Sequence, residues 1–352
     1  MPGIHHVMAR SIKDIFCRFK TLKGFQVERK AGWDTHGLPI ELSVEKDLGI
    51  TKEDIGTKIS VEDYNKACKK AVMKYTDVWN DLTKKMGYWV DMSNPYITYE
   101  SKYIESVWWL LKELYNKNLI YKGYTIQPYS PKAGTGLSSH ELNQPGTYQD
   151  VTDTTVVAQF KAIPETLPNA LKNEGHIHLL AWTTTPWTLP GNVGLAVGPH
   201  VEYVRVKVTA DPEKWEGHGG AEIGEELILA KDLFKEVIRH HCEEVETFPG
   251  SDLIGRAYEP LFPGAVDRGD SKTAWTVIGA DWVTTTDGTG VVHTAVMYGE
   301  DDYNLGREVG FPEVHTVGMD GAFVEGVHPE LDGKYVKDCD DIIINNLTDS
   351  NK

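Results

Sequence analysis

Residues 176–208 read HIHLLAWTTTPWTLPGNVGLAVGPHVEYVRVKV, and this stretch decides the fold of the second part of the chain. Its short β-branched and aliphatic runs are separated by Pro, Gly and Asn, which is typical of short strands joined by tight turns. Similar runs lie at 154–160, 274–280 and 288–296. The pattern predicts a β-rich, barrel-like domain with a few helices, one of them AKDLFKEVIRHH at 230–241.

The first 150 residues predict helices alternating with a few strands. Apolar residues recur at helical spacing over 7–22, and Gly24 follows as a stop signal. The segments 61–86 and 100–117 predict two long helices, the first with Ser60 as its N-cap. The strands predicted for this part are FQVERKAGWD at 25–34 and LIYKGYTIQPYSP at 119–131.

The two patterns together predict an α/β chain of two domains. A length of 352 residues also indicates two domains at about 150 residues each. We expect an incomplete domain at 1–150, a β-rich domain at 151–345 and a short tail at 346–352. The chain opens directly on a helix signal and closes on an apolar helical run followed by a polar tail, so we expect a piece of a longer protein.

Charge divides the chain in the same way. The net charge is −16, yet residues 1–150 carry 21 Lys and Arg against 18 Asp and Glu, and the remainder carries 15 against 34. An acidic surface argues against non-specific adhesion to nucleic acid. Any RNA contact of the second part is therefore expected at a local pocket, although charge alone is equally consistent with simple solubility.

Hydropathy and cysteine content exclude two classes of protein. The mean hydropathy is −0.37, and no run approaches the roughly 18 apolar residues of a membrane span. The amino terminus lacks the apolar segment of a secretory signal. The four cysteines form no CxxC pair, which excludes a disulfide framework and a cysteine-rich zinc site. These features predict a cytoplasmic protein without a membrane contact.

The motif Pro2-Gly3-Ile4-His5-His6 stands directly before the first helix. A helix N-terminus presents free N–H groups and the positive end of a dipole to a phosphate. His5 and His6 can donate hydrogen bonds to phosphoryl oxygens there. The alternative is that two histidines near a terminus are ordinary surface residues.

The motif GWDTHGLPIE at 32–41 follows a predicted strand. Loops after strands commonly carry ligand contacts in α/β enzymes. Gly32, Trp33, Asp34 and His36 bring a carboxylate, an imidazole and an indole together in a few residues, and the carboxylate can bind an ammonium group. The alternative is a tight turn in which Asp34 only caps a helix.

Two further motifs flank β runs in the second part. In TTTPWTLPGN at 183–192, three hydroxyls next to prolines can bind a ribose and narrow a pocket, or they can simply end an edge strand. In GTGVVHT at 288–294 followed by GEDDY at 299–303, a His and an Asp can share a pocket, or the Asp can be an N-cap. Arg239-His240-His241-Cys242 predicts a solvated helix end, and we expect no metal site.

Taken together, these motifs resemble those of the isoleucyl-tRNA synthetases, which are class I aminoacyl-tRNA synthetases. The resemblance covers nearly the whole chain. GWDTHGLPIE is close to diagnostic, because the leucyl enzymes place Phe where His36 stands and the valyl enzymes have a different string. WTTTPWTLPGN and GTGVVHTA…GEDDY match the two editing motifs of the family in the right order.

The resemblance implies a Rossmann-like part of a class I catalytic domain followed by an inserted, barrel-like editing domain. His5 and His6 would serve adenylation, with Gly3 standing where the family signature has its first His. Asp34 would bind the α-ammonium group of the amino acid. Gly32, Trp33 and His36 would shape the same amino-acid site.

For the editing site, the resemblance implies that Asp302 holds the α-ammonium group of a mischarged residue. Thr183, Thr184 and Thr185 would position the terminal adenosine and block the larger cognate side chain. Two further residues, Asn192 and His293, would line the pocket and help to orient water.

The implied activity is ATP-dependent charging of tRNA(Ile) with isoleucine through an adenylate, together with hydrolysis of valyl-tRNA(Ile). ATP and Mg²⁺ would be substrates of the full-length enzyme, the editing domain would bind no cofactor, and the protein would be a monomer. No KMSKS-like string is present, so this chain is expected to retain at most the editing activity. The alternatives are a valyl- or leucyl-type fragment and a non-catalytic tRNA-binding module.

Overall fold

The chain forms two compact units, Met1–Tyr124 and Thr125–Lys352. A computed structural model describes residues 3–168, 171, 176–209, 221–238, 242–262, 264–266, 271–350 and 352. The sequence pattern changes near residue 150, whereas the compact units divide earlier. One reason is that Ile126 already packs against apolar side chains of the second unit. The boundaries of the functional domains stay a prediction.

The first unit contains helices and one short parallel pair of strands. β1 and β2 pair with Gly32 opposite Tyr96 and Trp33 opposite Ile97. A parallel pair needs a long crossover, which the three intervening helices supply. In chain order the elements are α1 Ile4–Leu22, β1 Lys30–Trp33, α2 Leu38–Leu48, α3 Val61–Val72, α4 Thr76–Lys85, β2 Asp91–Ile97 and α5 Ser101–Asn116.

Local signals in the first unit were informative where they concerned helices. α3 begins after Ser60, whose Oγ accepts a hydrogen bond from the N–H of Asp63 at 3.0 Å, so the predicted cap is confirmed. A short 3₁₀ turn at 73–75 splits the predicted helix into α3 and α4. The strand predicted over 25–34 is confined to β1.

The second unit contains most of the strands of the described chain. Its elements are β3 Tyr129–Ser130, β4 Thr135–Gly136, α6 Ser139–Leu142, β5 Val156–Lys161, β6 Ile177–Thr183, β7 Gly194–Val197, β8 Glu202–Val208, β9 Glu226–Ala230, α7 Phe234–Val237, β10 Cys242–Pro249, β11 Thr276–Gly279, β12 Val291–Thr294, α8 Glu300–Val309 and α9 Asp340–Asp349. The mixed α/β architecture agrees with the predicted fold class.

Eight of these strands form one mixed sheet that curls into a half-barrel. The order is β10-β8-β9-β6-β12-β7-β11, and β5 pairs with β6 as well. β12 pairs in parallel with β6 and antiparallel with β7, so β12 lies between the strands on either side of the threonine-rich turn. This pairing brings the ends of β6 and β12 together and positions the site.

Buried clusters lie on both faces of this sheet, because the adjacent β6 residues Leu179 and Leu180 belong to different clusters. Large side chains such as Phe160, Tyr203 and Tyr258 are fully buried in the cluster that contains Leu179. The ring of Phe160 meets that of Tyr258 edge to face at 5.3 Å, an arrangement that aromatic quadrupoles favour. α9 contributes Ile343 and Leu347 to the same cluster.

Six strands predicted in the second part are confirmed as β5, β6, β7, β8, β11 and β12. Four strands, β2, β4, β9 and β10, were not predicted. The strand expected over 119–131 is wrong except at Tyr129–Ser130, because Pro128 and Gly123 favour turns over an extended run. Of the helix predicted over 230–241, Phe234–Val237 is α-helical, and 239–241 lie outside the described residues.

Candidate functional site

A cavity of about 360 Å³ in the second unit collects residues from two distant motifs. Thr183 ends β6, and Thr184 and Thr185 follow it, while His293 lies on β12. Asp302 lies in the first turn of α8 and lines the same cavity. The structure therefore brings together five residues that the sequence assigned to one site.

Asp302 presents a desolvated carboxylate to this cavity. Its Oδ2 accepts a hydrogen bond from the N–H of Ala295 at 3.2 Å. Burial raises the pKa of Asp302 to about 6, although the Ala295 hydrogen bond acts in the opposite direction, and the neighbouring Asp301 raises it further. A partly buried carboxylate without full hydration is suited to bind a cationic group.

The threonines form a chain of hydroxyl contacts at the end of β6. The N–H of Thr185 donates to Oγ1 of Thr183 at 3.1 Å, and the two hydroxyl oxygens are 3.3 Å apart. Thr188 Oγ1 lies 3.4 Å from Thr185 Oγ1 and donates to the carbonyl oxygen of Thr185 at 2.9 Å. The 3₁₀ turn Pro186–Gly191 holds these residues in place, so their polar groups have a defined direction toward the cavity.

Asn192, which was expected to line the pocket, is not among the residues that line this cavity. It is buried and contacts His293, and this contact fixes the protonation of the imidazole ring. Nδ2 of Asn192 donates to the carbonyl oxygen of Gly194 at 2.9 Å, and a carbonyl oxygen can only accept. The same NH₂ group lies 2.8 Å from Nδ1 of His293, so this ring nitrogen must be the acceptor. The ring proton is therefore on Nε2, which lies 3.0 Å from Oγ1 of Thr188.

Both ring nitrogens of His293 are thus engaged with protein groups. Burial lowers the pKa of His293 to about 4, so the ring is neutral at pH 7. A neutral ring whose lone pair already accepts a hydrogen bond is poorly placed to remove a proton from water. The geometry favours a positioning role through Thr188, and a catalytic role for His293 stays a prediction.

Tyr298 forms a further wall of the cavity that the sequence did not indicate. Its phenolic oxygen accepts hydrogen bonds from the N–H groups of Thr316 at 2.7 Å and Val317 at 3.0 Å. It also lies 2.9 Å from Oγ1 of Thr316, and its ring meets Trp187 edge to face at 5.3 Å. The hydroxyl is used within the protein, so the ring is what Tyr298 offers to a ligand.

Other lining residues were also missed by the sequence analysis. Trp182 directly precedes the threonines, and Trp282 and Asp287 come from the segment before β12. Gly288 has φ +72°, and a Cβ there would lie 2.9 Å from the Trp182 ring, so the turn packs closely on this indole. Their position next to the two motifs was the available signal.

In the first unit, the two histidines lie at the start of α1. The N–H of Gly3 donates to Nδ1 of His6 at 3.0 Å, so His6 caps its own helix. Its ring lies edge to face with Trp79 at 4.8 Å, and burial is the largest cause that lowers the pKa of His6. His5 is exposed and its ring centroid lies 3.8 Å from that of His6. Nucleotide binding by this pair stays a prediction.

The GWDTHG segment begins at the end of β1 and continues into the loop after it. A Cβ at Gly32 would overlap the ring of Tyr96 on the neighbouring strand, which explains the glycine. Trp33 is half-buried, while Asp34 and His36 are exposed. Gly32 and Trp33 are thus the last two residues of β1, whereas Asp34 and His36 lie on the loop that follows; their role as an amino-acid site stays a prediction.

The described residues hold no group of three or more His, Cys, Asp or Glu side chains placed to share a metal ion. The predicted helix end at Arg239-His240-His241 lies outside them. In the part of the chain that the structure describes, none of the helices has the length and apolar character needed to cross a bilayer.

The family follows from comparison with known proteins. The profile described as tRNA synthetases class I (I, L, M and V) matches residues 2–298, which is most of the chain and includes both units. The chain therefore belongs to the class I tRNA synthetases.

Within that class, the chain is similar to isoleucine--tRNA ligases, so the predicted resemblance is confirmed. It is 52% identical to the enzyme of Bacteroides thetaiotaomicron over 375 residues, covering 97% of this chain and 31% of that protein. It is 53% identical to the enzyme of Bacteroides fragilis, covering 95% and 30%. The chain thus spans about a third of the length of the curated relatives it matches.

Among solved structures, the editing domain of the P. knowlesi cytosolic leucyl-tRNA synthetase matches with a TM-score of 0.41 and 10% sequence identity. That match covers 56% of this chain and 94% of the other.

Proposed function

We propose that the second unit is the editing domain of an isoleucine--tRNA ligase and that its cavity hydrolyses valyl-tRNA(Ile). One arrangement supports this above all, namely that the partly buried carboxylate of Asp302 and the threonine hydroxyls of 183–185 line one cavity. An aminoacyl ester carries an α-ammonium group next to its carbonyl, so a carboxylate anchor and nearby hydrogen-bond donors match both groups.

In the proposed reaction, ionised Asp302 binds the α-ammonium group and fixes the ester carbonyl beside the threonines. Water attacks the carbonyl carbon, the bond to the ribose oxygen breaks, and that oxygen takes a proton, so valine and tRNA leave. Hydrogen bonds from the hydroxyls of 183–185 stabilise the developing oxyanion. No covalent intermediate is required.

A hydrolytic site is needed because isoleucine and valine differ by one methylene. That difference is worth only about 1–3 kcal/mol in an apolar pocket, a magnitude established on isoleucyl enzymes and not obtained from this structure. A second cavity that admits valine but not isoleucine supplies the missing discrimination. Thr183, Thr184 and Thr185, together with the Tyr298 ring, would set its size limit.

For the full-length enzyme we propose ATP-dependent charging of tRNA(Ile) with isoleucine, in the cytoplasm and as a monomer. ATP and Mg²⁺ would enter as substrates at a site that includes His5 and His6. Asp34, Gly32 and Trp33 would bind the amino acid. The similarity to isoleucine--tRNA ligases over both units supports this assignment.

The second candidate is a tRNA-binding module without catalytic activity. It predicts that the chain binds tRNA but leaves the valyl ester intact. A leucyl-type activity is disfavoured because His36 stands where the leucyl enzymes have Phe, and a valyl-type activity because the valyl enzymes have a different string in place of GWDTHGLPIE.

The deciding experiment is deacylation of valyl-tRNA(Ile) by the purified chain, with isoleucyl-tRNA(Ile) as the comparison. We expect faster loss of the valyl ester. Asp302→Ala should abolish that difference, whereas Asp301→Ala, at the exposed neighbouring position of the same helix turn, should preserve it. Background loss of both esters, or full activity of Asp302→Ala, would reject the proposed site.

A further inference from the structure

We propose that Tyr258 is a positioning residue of this site, which holds Asn192 so that His293 keeps its proton on Nε2. Tyr258 does not line the cavity, and no motif of the sequence includes it. The catalytic consequence rests on the proposed editing function, whereas the assignment of the ring proton does not.

Both the backbone and the side chain of Tyr258 are held in place by neighbouring residues. It is fully buried, and its N–H donates to the carbonyl oxygen of Trp275 at 3.1 Å. It forms a β-bridge with Ala162, and its ring packs edge to face on Phe160. The position of the phenolic oxygen is therefore set by backbone pairing and core packing together.

From this position the Tyr258 hydroxyl donates to Oδ1 of Asn192 at 2.6 Å. The Asn192 NH₂ group then faces Gly194 and His293, as described above. Rotating the amide by half a turn would place Oδ1 against the Gly194 carbonyl oxygen, where two acceptors would meet without a proton. Tyr258 and Gly194 thus act on opposite ends of one amide and fix the same orientation.

That orientation sets the direction of the hydrogen bonds that run from His293 through Thr188 to Thr185. His293 accepts at Nδ1 and donates from Nε2 to Thr188, so Thr188 uses its own proton on the carbonyl oxygen of Thr185. With Nδ1 protonated instead, two N–H donors would oppose each other at Asn192, and Thr188 would lose its donor. The Thr188 hydroxyl, which lies 3.4 Å from the Thr185 hydroxyl, would then have a different hydrogen-bonding direction.

Removing the Tyr258 hydroxyl leaves the Asn192 amide oxygen as a buried acceptor without its partner, which destabilises the observed orientation. The amide and the His293 ring then populate their alternative arrangements. A wrong imidazole tautomer changes which groups of the cavity donate, and so affects the reaction more than substrate binding.

The test uses the whole chain with ¹⁵N-labelled histidine. NMR detects the ring nitrogens, and the signals of His293 are identified as those that are lost in His293→Gln. In the wild type we expect a neutral ring with the proton on Nε2. In Tyr258→Phe we expect a second tautomer in exchange, with kcat for the valyl ester lowered about tenfold and KM changed by less than about twofold.

The matched control is Tyr203→Phe. Tyr203 is equally buried in the same core, and its hydroxyl bonds to backbone groups of Gly198 and Gly290. It should show a similar loss of stability while the His293 signals stay as in the wild type. Identical NMR and kinetic behaviour of the two variants would overturn the role of Tyr258.

If Tyr258→Phe does not fold, Asn192→Asp decides the point, since it keeps the acceptor for Tyr258 but removes the donor to His293. The His293 proton is then expected on Nδ1. An unchanged Nε2 tautomer would show that Asn192 does not set the position of the ring proton, and would reject the proposal. A wild-type ring protonated on Nδ1 would reject it as well. Absence of deacylation in the wild type, with the expected NMR result, would reject the editing function alone.

Discussion

Oδ2 of Asp302 accepts a hydrogen bond from the N–H of Ala295 at 3.2 Å, which ties the first turn of α8 to the segment that follows β12. Two effects oppose each other at this carboxylate. A helix N-terminus and a backbone N–H both favour the ionised form, yet burial is stronger and raises its pKa to about 6. The carboxylate is therefore held ready for a cation that replaces its lost hydration.

The first prediction concerns the pH dependence of deacylation. In the proposed reaction the ionised form of Asp302 binds the α-ammonium group, so kcat/KM should rise as pH increases through the pKa of about 6. Between pH 5 and 7 we expect an increase of about tenfold, after subtraction of uncatalysed ester hydrolysis. A flat profile over this range would show that another group controls binding.

The second prediction concerns stability at the same residue. A folded-state pKa raised above 3.8 means that ionisation of Asp302 opposes folding above pH 6, and that this opposition disappears as pH falls toward 3.8. Asp302→Asn should therefore raise Tm at pH 7.5 by about 2–4 °C while it abolishes deacylation. Asp301→Asn, at the exposed neighbouring position, should leave Tm unchanged. A lower Tm for Asp302→Asn would contradict the sign.

Much of the fold followed from local sequence patterns. Strands such as β6 and β8 were predicted because alternating or continuous apolar runs end at Pro, Gly or Asn. β9 was missed because all of Glu226–Ala230 is buried, so the run shows no alternation. β10 was missed because it is an acidic strand at the end of the sheet, where Glu243 and Glu244 are exposed.

The site was predictable only where its chemistry lies in compact motifs. The threonines, His293 and Asp302 belong to two such motifs. Tyr258, the hydrogen-bond partner of Asn192, is 66 residues away in the sequence. No local sequence pattern identifies a tyrosine whose role depends on a single hydrogen bond to a distant residue. Thr188 was quoted within its motif, but its contact with His293 spans 105 residues and depends on how β12 enters the sheet.

The third prediction concerns acid stability and His178. This residue is buried on β6, and burial, followed by the positive charges of His176 and Lys161, lowers its pKa to about 4, while Glu259 acts in the opposite direction. His178 takes up a proton near pH 6.5 in the unfolded chain but only near pH 4 in the folded chain. Its neutral form therefore contributes stability above pH 6.5, and this contribution is lost as pH falls toward 4.

The free energy of unfolding of the wild type should fall between pH 7 and 5, and this fall should be smaller by about 1–2 kcal/mol in His178→Leu. Urea unfolding at each pH measures both. His200→Leu, at an exposed turn position, is the matched control and should keep the wild-type slope. Equal slopes for His178→Leu and the wild type would show that the ring accepts its proton in the folded state.

The fourth prediction concerns a buried ion network on β8. The guanidinium of Arg205 lies 3.1 Å from carboxylate oxygens of both Glu226 and Glu246, and it donates to the carbonyl oxygen of Leu171 at 3.1 Å. Because Glu226 is also buried, Arg205→Met leaves an unpaired charge and should destabilise the fold by about 3–5 kcal/mol.

Urea unfolding of Lys207→Met, an exposed position on the same strand, provides the comparison and should change little. The double variant Arg205→Met with Glu226→Leu should recover part of the loss, because it removes the stranded carboxylate. If the double variant is less stable than Arg205→Met alone, the unpaired carboxylate of Glu226 is not the cause of the loss, and the prediction is wrong.

The last prediction separates two roles of Tyr298. Its hydroxyl accepts from the N–H groups of Thr316 and Val317, while its ring lines the cavity. Tyr298→Phe keeps the ring and removes the acceptor, so stability should fall by about 1–3 kcal/mol with the preference for the valyl ester intact. Tyr298→Leu removes the ring as well and enlarges the cavity.

Tyr298→Leu should therefore hydrolyse isoleucyl-tRNA(Ile) faster relative to the valyl ester, by about 10- to 200-fold at most, since one methylene is worth about 1–3 kcal/mol. The two esters are compared with each variant at equal enzyme concentration. Tyr335→Leu, a surface position in the same unit, should leave the ratio unchanged. If Tyr298→Phe shifts the ratio as far as Tyr298→Leu does, the segment at 316–317 limits the cavity, and the ring does not.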